Sequence, residues 1–278
     1  MSLNLSVSLV IYRSDLKLLQ QTLSSLNQAV VFAKQQKKIA GCFLTIVNNC
    51  TQDKGSQALN TVFCTYWDGE FKLYEPGHNL GYGVGHNLAI NHCCKDFHLV
   101  INPDVIVDKW AVINAINYIE KNPEVGMLTP LSQKANGQKE YLCKSYPSVF
   151  VLFLRGFAPS KIKILLNKQL LAYELTELPE KISTEINITS GCFMFFKGEA
   201  LKSINGFSDK FFLYFEDFDL SIRLKKHWKI AYVPDVKITH YGGRAAKKGV
   251  LHIKLFIYSA WQFLIAMVGS GFKERDLC

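Results

Sequence analysis

The sequence predicts an α/β fold with a mostly parallel central sheet, on two observations. Short β-branched runs alternate with helical stretches from Leu5 to about Val107, which is the pattern of parallel strands joined by helices. The chain has 278 residues, of which 49% are hydrophobic, enough to bury one large core or two lobes that share a cleft. We therefore expect a globular protein rather than a disordered one.

The predicted elements follow one another in a regular order. The first strand is predicted over Leu5–Tyr12, and Ser14 is expected to cap the helix that follows it. That helix has one apolar face, formed by Leu16, Leu19, Leu23 and Leu26. Further strands are predicted at Cys42–Val47, Phe71–Tyr74 and His98–Ile101, with helical stretches around Gln57–Phe63 and Val84–Cys94.

Positive charge predominates in this sequence. Lys and Arg number 32 against 23 Asp and Glu, a formal net charge of +9, which favours anionic partners such as nucleotides or phosphorylated lipids. We expect no nucleic-acid partner, because the lysines are dispersed and no basic-aromatic recognition motif occurs.

Cysteine usage and the N-terminal residues indicate where the protein works. The eight cysteines are scattered and form no Cys-x-x-Cys pair, so we expect reduced thiols. The first residues have the pattern of a strand, without a basic region followed by an apolar core. Both features predict a cytoplasmic location.

Polar segments follow three of the predicted apolar runs. They are Asn48-Asn49, Asn79 to Asn87, and Asn102-Pro103-Asp104. Ligands of open α/β sheets bind at the carboxyl ends of the strands, so these segments predict a shared crevice, although ordinary turn composition explains any one of them. Asp104 could bind a divalent metal that bridges phosphate oxygens, or it could be a turn aspartate.

The second of these segments has glycine at alternate positions: Gly81, Gly83 and Gly85. Such spacing allows close backbone approach to a ligand ahead of a helix N-terminus that could face phosphate. A dinucleotide-binding loop would instead read G-x-G-x-x-G directly after the first strand, which disfavours a dehydrogenase. A plain glycine-rich turn remains the alternative.

Three carboxylates lie within the aromatic stretch Phe211 to Leu220, namely Glu216, Asp217 and Asp219. Burying a carboxylate among aromatic rings is costly unless it is paired, metal-bound or catalytic, so the stretch predicts an active-site wall. The alternative is a helix that begins near Phe215, with the acids favourably placed at its N-terminus.

Taken in order, these segments resemble glycosyltransferase family 2, and especially its bacterial rhamnosyltransferase-like branch. The matching pieces run from about Leu5 to His240 and are Ser8 to Tyr12, Ile46 to Asn49, Asn79 to Asn87, Asn102 to Asp104, Ser190 to Met194, Gly206-Phe207, Phe211 to Leu220 with Arg223, and Tyr232 to Pro234 followed by His240. The resemblance implies a GT-A fold and inverting transfer of a sugar from a nucleotide-diphosphate sugar to a glycan or lipid-linked glycan. The branch implies dTDP-rhamnose as donor, with a UDP-hexose or UDP-N-acetylhexosamine as the alternative.

The resemblance also implies roles for individual residues. Asp217 corresponds to the catalytic base, with Glu216 orienting the base or the acceptor. Asp104 and His240 correspond to residues at the divalent metal, Mg²⁺ or Mn²⁺. The implied donor-nucleotide residues are Tyr12, Asn48, Asn79, Gly81, Gly83, Asn87, Asn102 and Asp104, and those implied on the acceptor or phosphate side are Ser190, Gly191, Arg223 and Arg244. Asn48 and Asn102 stand where the family usually has aspartate.

The predicted catalytic domain covers residues 1–245, with a nucleotide-binding half (1–109) and an acceptor-side half (110–245). A basic and apolar helical segment follows over 246–278, in which Leu255 to Phe272 carries no charged residue. This run is at the lower edge of what spans a bilayer, so we expect an interfacial helix on an anionic membrane surface, on the inner face of the cytoplasmic membrane. The alternatives are packing against the catalytic lobe or a homo-oligomer through this helix.

The stretch Val149 to Leu171 is also basic and apolar, and could either face a membrane or form a packed insertion.

A membrane-surface location fits a family whose bacterial members extend lipid-linked glycans in lipopolysaccharide or capsule assembly. The alternative of another class is a non-catalytic module that binds a membrane or a nucleotide, which the absence of donor binding would favour.

Overall fold

The computed structural model describes residues 3–50, 56–144, 182, 184, 186–242 and 249–269. Its strands are β1 (Asn4–Ile11), β2 (Gly41–Asn48), β3 (Glu70–Tyr74), β4 (Phe97–Ile101), β5 (Val105–Val107), β6 (Val125–Lys134), β7 (Lys139–Glu140), β8 (Cys143–Lys144), β9 (Ile188–Thr189), β10 (Phe193–Lys197) and β11 (Lys229–His240). Its helices are α1 (Leu16–Gln35), α2 (Ser56–Tyr66), α3 (Tyr82–Cys93), α4 (Ala111–Lys121), α5 (Gly198–Ser203), α6 (Glu216–Lys225) and α7 (Gly249–Gly269).

Nine of the described strands form one sheet in the order β3-β2-β1-β4-β10-β6-β11-β5, with β7 paired to β6. The first four are parallel to one another, as the sequence predicts. Strand β10 runs antiparallel to both β4 and β6, and β11 returns parallel to β6. Strands β8 and β9 form a separate antiparallel pair. The second half of the sheet is therefore mixed.

The first predicted strands and helices are confirmed to within a few residues, but the predicted cap of α1 is wrong. Asp15, not Ser14, precedes the first helical residue with an extended backbone. Its Oδ1 accepts hydrogen bonds from the backbone N–H of Lys17 at 2.9 Å and of Leu18 at 3.2 Å. A capping side chain must reach the second and third helical N–H groups, and Ser14 is one residue too early to do so.

Alternate residues of β1 enter two different environments. Leu5, Val7 and Leu9 are fully buried in the main core between the sheet and helices α1 and α4. Ser6 and Ser8 point to the other face, where they meet two buried histidines. Ser6 Oγ lies 2.8 Å from His98 Nδ1, and Ser8 Oγ lies 3.0 Å from His98 Nε2 and 2.7 Å from His86 Nδ1. This polar network ties α3 to the centre of the sheet.

We expect the two buried histidines to make the fold acid-sensitive. Burial lowers the pKa of His98 to about 3 and that of His86 well below its usual value. The unfolded chain therefore binds more protons below pH 6.5, so stability is lost as the pH falls from there. Each histidine contributes a loss of about 1.4 kcal/mol per pH unit. Urea unfolding at pH 7.5, 6 and 5 measures this loss in the free energy of unfolding.

A pair of histidine variants separates this effect from general acid denaturation. His98→Gln is expected to flatten the pH dependence, whereas His227→Gln, at an exposed position, is expected to leave it as in the wild type. Equal slopes for both variants would contradict the assignment.

The final described helix, α7, packs beside the loop that leads into α6. Phe263 of α7 is buried against Phe215 and Phe218, with ring centroids 5.4 and 5.9 Å away. None of the described helices is both long and apolar enough to cross a bilayer. Three predictions lie outside the described residues: the Val149 to Leu171 stretch, Arg244 and residues 270–278.

Candidate active site

The loop before α6 has an unusual backbone. We call residues 211–215 the aromatic loop. Tyr214 and Phe215, at its end, both have left-handed conformations, with φ of 71° and 66°. Consecutive aromatic residues in this region carry strain that surrounding contacts must offset. The strained turn directly precedes Glu216 and Asp217, the first two residues of α6.

Helix α7 supplies several of the contacts that hold the aromatic loop. Ser259 Oγ donates a hydrogen bond of 2.8 Å to the carbonyl oxygen of Leu213. The Tyr214 hydroxyl lies 2.9 Å from His252 Nδ1. The ring of Phe215 packs against those of Phe256 and Phe263, with centroids 5.2 and 5.4 Å away. The C-terminal helix thus stabilises the backbone that orients both acids.

Asp217 is half-buried, and its carboxylate accepts two backbone hydrogen bonds. Oδ2 accepts from Gly191 N at 3.0 Å, and Oδ1 accepts from Phe218 N at 3.0 Å. Hydrogen bonds of this kind favour the ionised carboxylate. On the other side of the same peptide segment, the Tyr82 hydroxyl donates to Gly191 O at 2.5 Å. The structure thus brings Gly191 and Tyr82 to the predicted base, while the N–H of Ser190 donates to Leu142 O at 2.9 Å.

The environment of Glu216 differs from that of Asp217. Its side chain is buried, and Oε2 has no hydrogen-bond partner among the described residues. Burial, and then the adjacent charge of Asp217, raise the pKa of Glu216 well above the usual value. Because the pKa of Glu216 is shifted toward the protonated form while the Asp217 carboxylate accepts two backbone hydrogen bonds, Asp217 is the better placed proton acceptor of the two.

A second polar cluster lies between β4 and β5, at Asn102 and Asp104. Asn102 N donates to Cys192 O at 2.9 Å, so the Gly191-Cys192 segment connects this cluster to Asp217. The Oδ1 atom of Asn102 is buried without a hydrogen-bond partner among the described residues, and that of Asp104 is buried with a contact of 3.5 Å to His240 Nε2. Such atoms are costly unless a ligand or ion satisfies them.

His240, at the end of β11, lies beside Asp104. Its Nε2 is 3.5 Å from Asp104 Oδ1, and its Nδ1 is 3.0 Å from Glu140 Oε2. Burial opposes the charged imidazole, but the hydrogen bonds and negative charges of Asp104 and Glu140 outweigh it and raise the pKa of His240 to about 9. The structure thus brings Asp104 and His240 together, while their role at a metal stays a prediction.

Glu140 is a member of this cluster that sequence reasoning misses. It lies on the short strand β7, where Ser132 Oγ donates to its Oε2 at 2.8 Å. Burial raises its pKa, but the hydrogen bond to His240 leads the effects that lower it, and the net shift is downward. Glu140 follows an exposed turn around Gly137, so nothing in the local sequence marks it as a site residue.

Several predicted nucleotide-binding side chains are engaged within the protein. Asn48 donates to Glu75 Oε1 at 3.1 Å and accepts from Cys50 N at 3.0 Å. Asn79 accepts from Gly81 N at 2.9 Å. Asn87 bonds both backbone groups of Phe207, accepting from its N–H at 2.9 Å and donating to its carbonyl at 2.8 Å. These asparagines shape the loops around the crevice.

Two further predicted residues have contrasting environments. Tyr12, just after β1, is exposed, so its ring is accessible to a ligand. Arg223 is engaged in the fold: it donates to Asp219 at 2.7 Å, to Ile204 O at 2.6 Å and to Gly206 O at 2.8 Å. The guanidinium of Arg223 therefore joins α6 to the turn after α5.

The glycines of the Asn79 to Asn87 segment allow close packing against other parts of the protein. A Cβ on Gly81, whose φ is +83°, would collide with the carbonyl oxygen of Phe212. A Cβ on Gly83 would lie 2.8 Å from Phe207 Cβ, and one on Gly85 would lie 2.9 Å from Val10 Cγ2. The alternate glycines therefore bring α3 against the sheet and the aromatic loop.

The residues present fit a divalent cation only in part. Within the described chain, no group of three or more His, Cys, Asp and Glu residues is arranged to hold a metal. The buried oxygens of Asn102 and Asp104 are nevertheless the hard ligands that Mg²⁺ and Mn²⁺ prefer. A cation here would take its remaining ligands from a bound diphosphate and water.

Curated relatives of this chain are bacterial rhamnosyltransferases. It is 27% identical over 186 residues to the N-acetylglucosaminyl-diphospho-decaprenol L-rhamnosyltransferase of Mycobacterium tuberculosis, and 26% identical over 180 residues to the rhamnosyltransferase WbbL of Escherichia coli. The matches cover 61% and 60% of this chain. They span 58% and 63% of those relatives, less than two thirds of their length.

Solved structures similar to this chain share its fold. The mannosyltransferase PcManGT from Pyrobaculum calidifontis, solved with GDP-Man and Mn²⁺, has a TM-score of 0.59 at 18% identity and covers 89% of this chain and 60% of its own. S. aureus TarS has a TM-score of 0.55 at 14% identity and covers 87% and 60%. These neighbours are GT-A glycosyltransferases, so the chain has the GT-A fold.

The family follows from a longer match. The sequence profile of the family described as "Glycosyltransferase like family 2" matches residues 72–252, well over half of the chain. The matched range contains the acids Asp104, Glu140, Glu216 and Asp217 as well as His240. The chain therefore belongs to glycosyltransferase-like family 2.

Proposed function

We propose that this protein is an inverting glycosyltransferase that moves rhamnose from dTDP-rhamnose to a hydroxyl of a lipid-linked glycan in bacterial surface-polysaccharide synthesis. The observation that carries the proposal is the Gly191-Cys192 segment. Its N-terminal side bonds Asp217 and its C-terminal side bonds Asn102, so one short peptide connects the proposed base to the proposed diphosphate site.

Asp217 is the general base of the proposed reaction. Inverting transfer requires a carboxylate that removes the acceptor hydroxyl proton while that oxygen attacks the anomeric carbon opposite the leaving diphosphate. The backbone N–H groups of Gly191 and Phe218 donate hydrogen bonds that hold the carboxylate in position. Glu216 is buried beside it, and its Oε2, which has no hydrogen-bond partner among the described residues, is available to orient the acceptor or the base once a substrate is bound.

The cluster of Asn102, Asp104 and His240 is the proposed diphosphate site. Negative charge develops on the nucleoside diphosphate as the sugar bond breaks, and groups fixed in advance lower the barrier most. Asp104 and Asn102 would hold Mg²⁺ or Mn²⁺ through their buried side-chain oxygens. When bound, such a cation supplies positive charge to the leaving diphosphate. The ring of His240 lies beside Asp104, so its N–H would be available to donate to the diphosphate oxygens.

The donor and acceptor are proposed from the relatives. Both are named rhamnosyltransferases, and the mycobacterial one is named for a decaprenol-linked diphosphate substrate. A lipid-linked acceptor requires a protein that works at a membrane surface, which supports a cytoplasmic location on the inner face of the membrane. A UDP-hexose or UDP-N-acetylhexosamine remains the alternative donor, because it requires the same base and the same diphosphate cluster.

A thermal-shift panel tests the proposed donor. The protein is mixed with dTDP-rhamnose, UDP-glucose, UDP-N-acetylglucosamine or GDP-mannose, each with and without Mn²⁺. A ligand at one hundred times its dissociation constant adds about 2.7 kcal/mol of stability. We expect a manganese-dependent shift with dTDP-rhamnose. A shift confined to UDP-sugars would replace the donor, and no shift with any sugar nucleotide would overturn the proposed function.

A further inference from the structure

Helix α7 has an apolar stripe on its outer side. Four residues spaced by four along the helix form it, and each keeps about half of its surface exposed: Ile253 (54%), Ile257 (45%), Trp261 (57%) and Ile265 (48%). Residues at this spacing lie on one face of a helix. Tyr258, 53% exposed, widens the stripe. We call these five residues the outer stripe.

The opposite side of α7 fixes the direction in which the outer stripe faces. Ser259 and Phe263 are each only 1% exposed, and both contact the aromatic loop or the start of α6. The helix is therefore held in one orientation by the catalytic domain. Soluble proteins seldom leave a large contiguous apolar patch in water without a binding role.

The sequence of α7 and the residues next to it along the chain carry positive charge. From Tyr241 to Lys273 the sequence contains no Asp or Glu, and its basic residues are Arg244, Lys247, Lys248, Lys254 and Lys273. Lys254, next to the stripe on α7, is exposed. The whole chain also has a positive net charge, +9. An apolar stripe beside a basic, acid-free segment is complementary to an anionic surface.

We propose that the outer stripe of α7 docks this protein onto an anionic lipid surface. Isoleucines would enter the boundary between headgroups and acyl chains, Trp261 and Tyr258 would lie at the headgroup level, and Lys254 would contact lipid phosphate. A second copy of the chain fits less well, because it would carry the same positive net charge. The proposal extends the proposed transfer to a lipid-linked acceptor, yet it depends on α7 alone.

Docking at this helix would also orient the active site. The same helix holds the aromatic loop through Ser259 and Phe263, and that loop leads directly to Asp217. A membrane bound to the outer stripe would therefore lie at a fixed distance from the base, separated from it by one helix and one loop. Acceptors carried in the membrane would meet the site in a restricted range of orientations.

Vesicle co-sedimentation tests the docking without donor or acceptor. Wild-type protein is mixed with vesicles of phosphatidylcholine alone or with one quarter phosphatidylglycerol, and we expect at least tenfold tighter binding to the anionic vesicles. The double variant Ile257→Ser, Trp261→Ser is expected to lose at least tenfold. Trp110→Ser is the matched control, since Trp110 is 53% exposed on another part of the domain, and it is expected to bind like the wild type.

Three results would overturn the docking proposal: wild-type protein that binds neither vesicle, a double variant that binds like the wild type, or a lipid-free dimer that the double variant makes monomeric. The thermal shift with sugar nucleotides is measured on the same samples without vesicles. Lost vesicle binding with an intact donor shift counts against docking alone, and a lost donor shift with intact vesicle binding counts against the transferase function alone.

Discussion

Asp217→Asn is expected to lower kcat by about 10²–10⁴-fold, the range that a general base contributes. The amide has nearly the same shape, but it cannot take a proton from the acceptor hydroxyl. Its oxygen can still accept from Gly191 N, so the local fold and the donor shift should persist. Transfer of sugar from the labelled donor, measured under single-turnover conditions, separates the chemical step from binding.

Asp219→Asn provides the control for this variant. Asp219 lies two residues further along α6 and is paired with Arg223 at 2.7 Å, away from the Gly191 contact. Its loss should weaken that ion pair while kcat stays within a few-fold of the wild type. If Asp217→Asn retained wild-type kcat, the base would have to be another group, and the proposed mechanism would be wrong.

Gly81→Ala is expected to damage both stability and activity. The backbone of Gly81, with φ of 83° and ψ of −179°, lies in a region that only glycine occupies readily. An added Cβ would also collide with Phe212 O, the acceptor for Tyr82 N at 3.0 Å. Strain alone costs about 1–3 kcal/mol, and the collision adds to it. At about 2–4 °C per kcal/mol, Tm should fall by at least several degrees.

The activity loss has a separate cause. Tyr82 donates to Gly191 O, and Gly191 N donates to the Asp217 carboxylate, so displacing residue 81 disturbs the base through two hydrogen bonds. Gly77→Ala is the matched control: Gly77 has φ of +76°, but an added Cβ there would meet nothing within 4 Å. Comparable losses of Tm and kcat in both variants would show that backbone strain, not the contact with Phe212, governs the effect.

Local patterns in the sequence predict much of this fold because short-range chemistry determines it. Strands β1 to β4 follow from apolar runs, and the helix after β1 follows from its leucine spacing. The cap of that helix is misassigned by one residue, since Ser14 and Asp15 are both good caps and only the backbone geometry decides between them. The antiparallel strand β10 is harder to predict, because its direction depends on contacts with β4 and β6.

The candidate site is predictable where motifs are short and contiguous. Asp217, Asp104 and His240 come from such motifs, and the structure brings Asp104 and His240 together. Glu140 escapes detection because it approaches His240 across 100 positions of sequence. The left-handed backbone at Phe215 cannot be predicted from the local sequence for a similar reason. Aromatic residues do not favour this conformation, and the contacts that offset its strain come from α7, much later in the chain.

The contacts between α7 and the aromatic loop also bear on how the protein is made. During synthesis, strands β1 to β4 can pair with one another before α7 has been translated, since all four precede residue 102. The turn at Tyr214 and Phe215 lacks Ser259, His252 and Phe263 until α7 emerges from the ribosome. The nascent chain can therefore assemble the parallel half of its sheet early, whereas the backbone before Asp217 is fully supported only after α7 has folded back onto the aromatic loop.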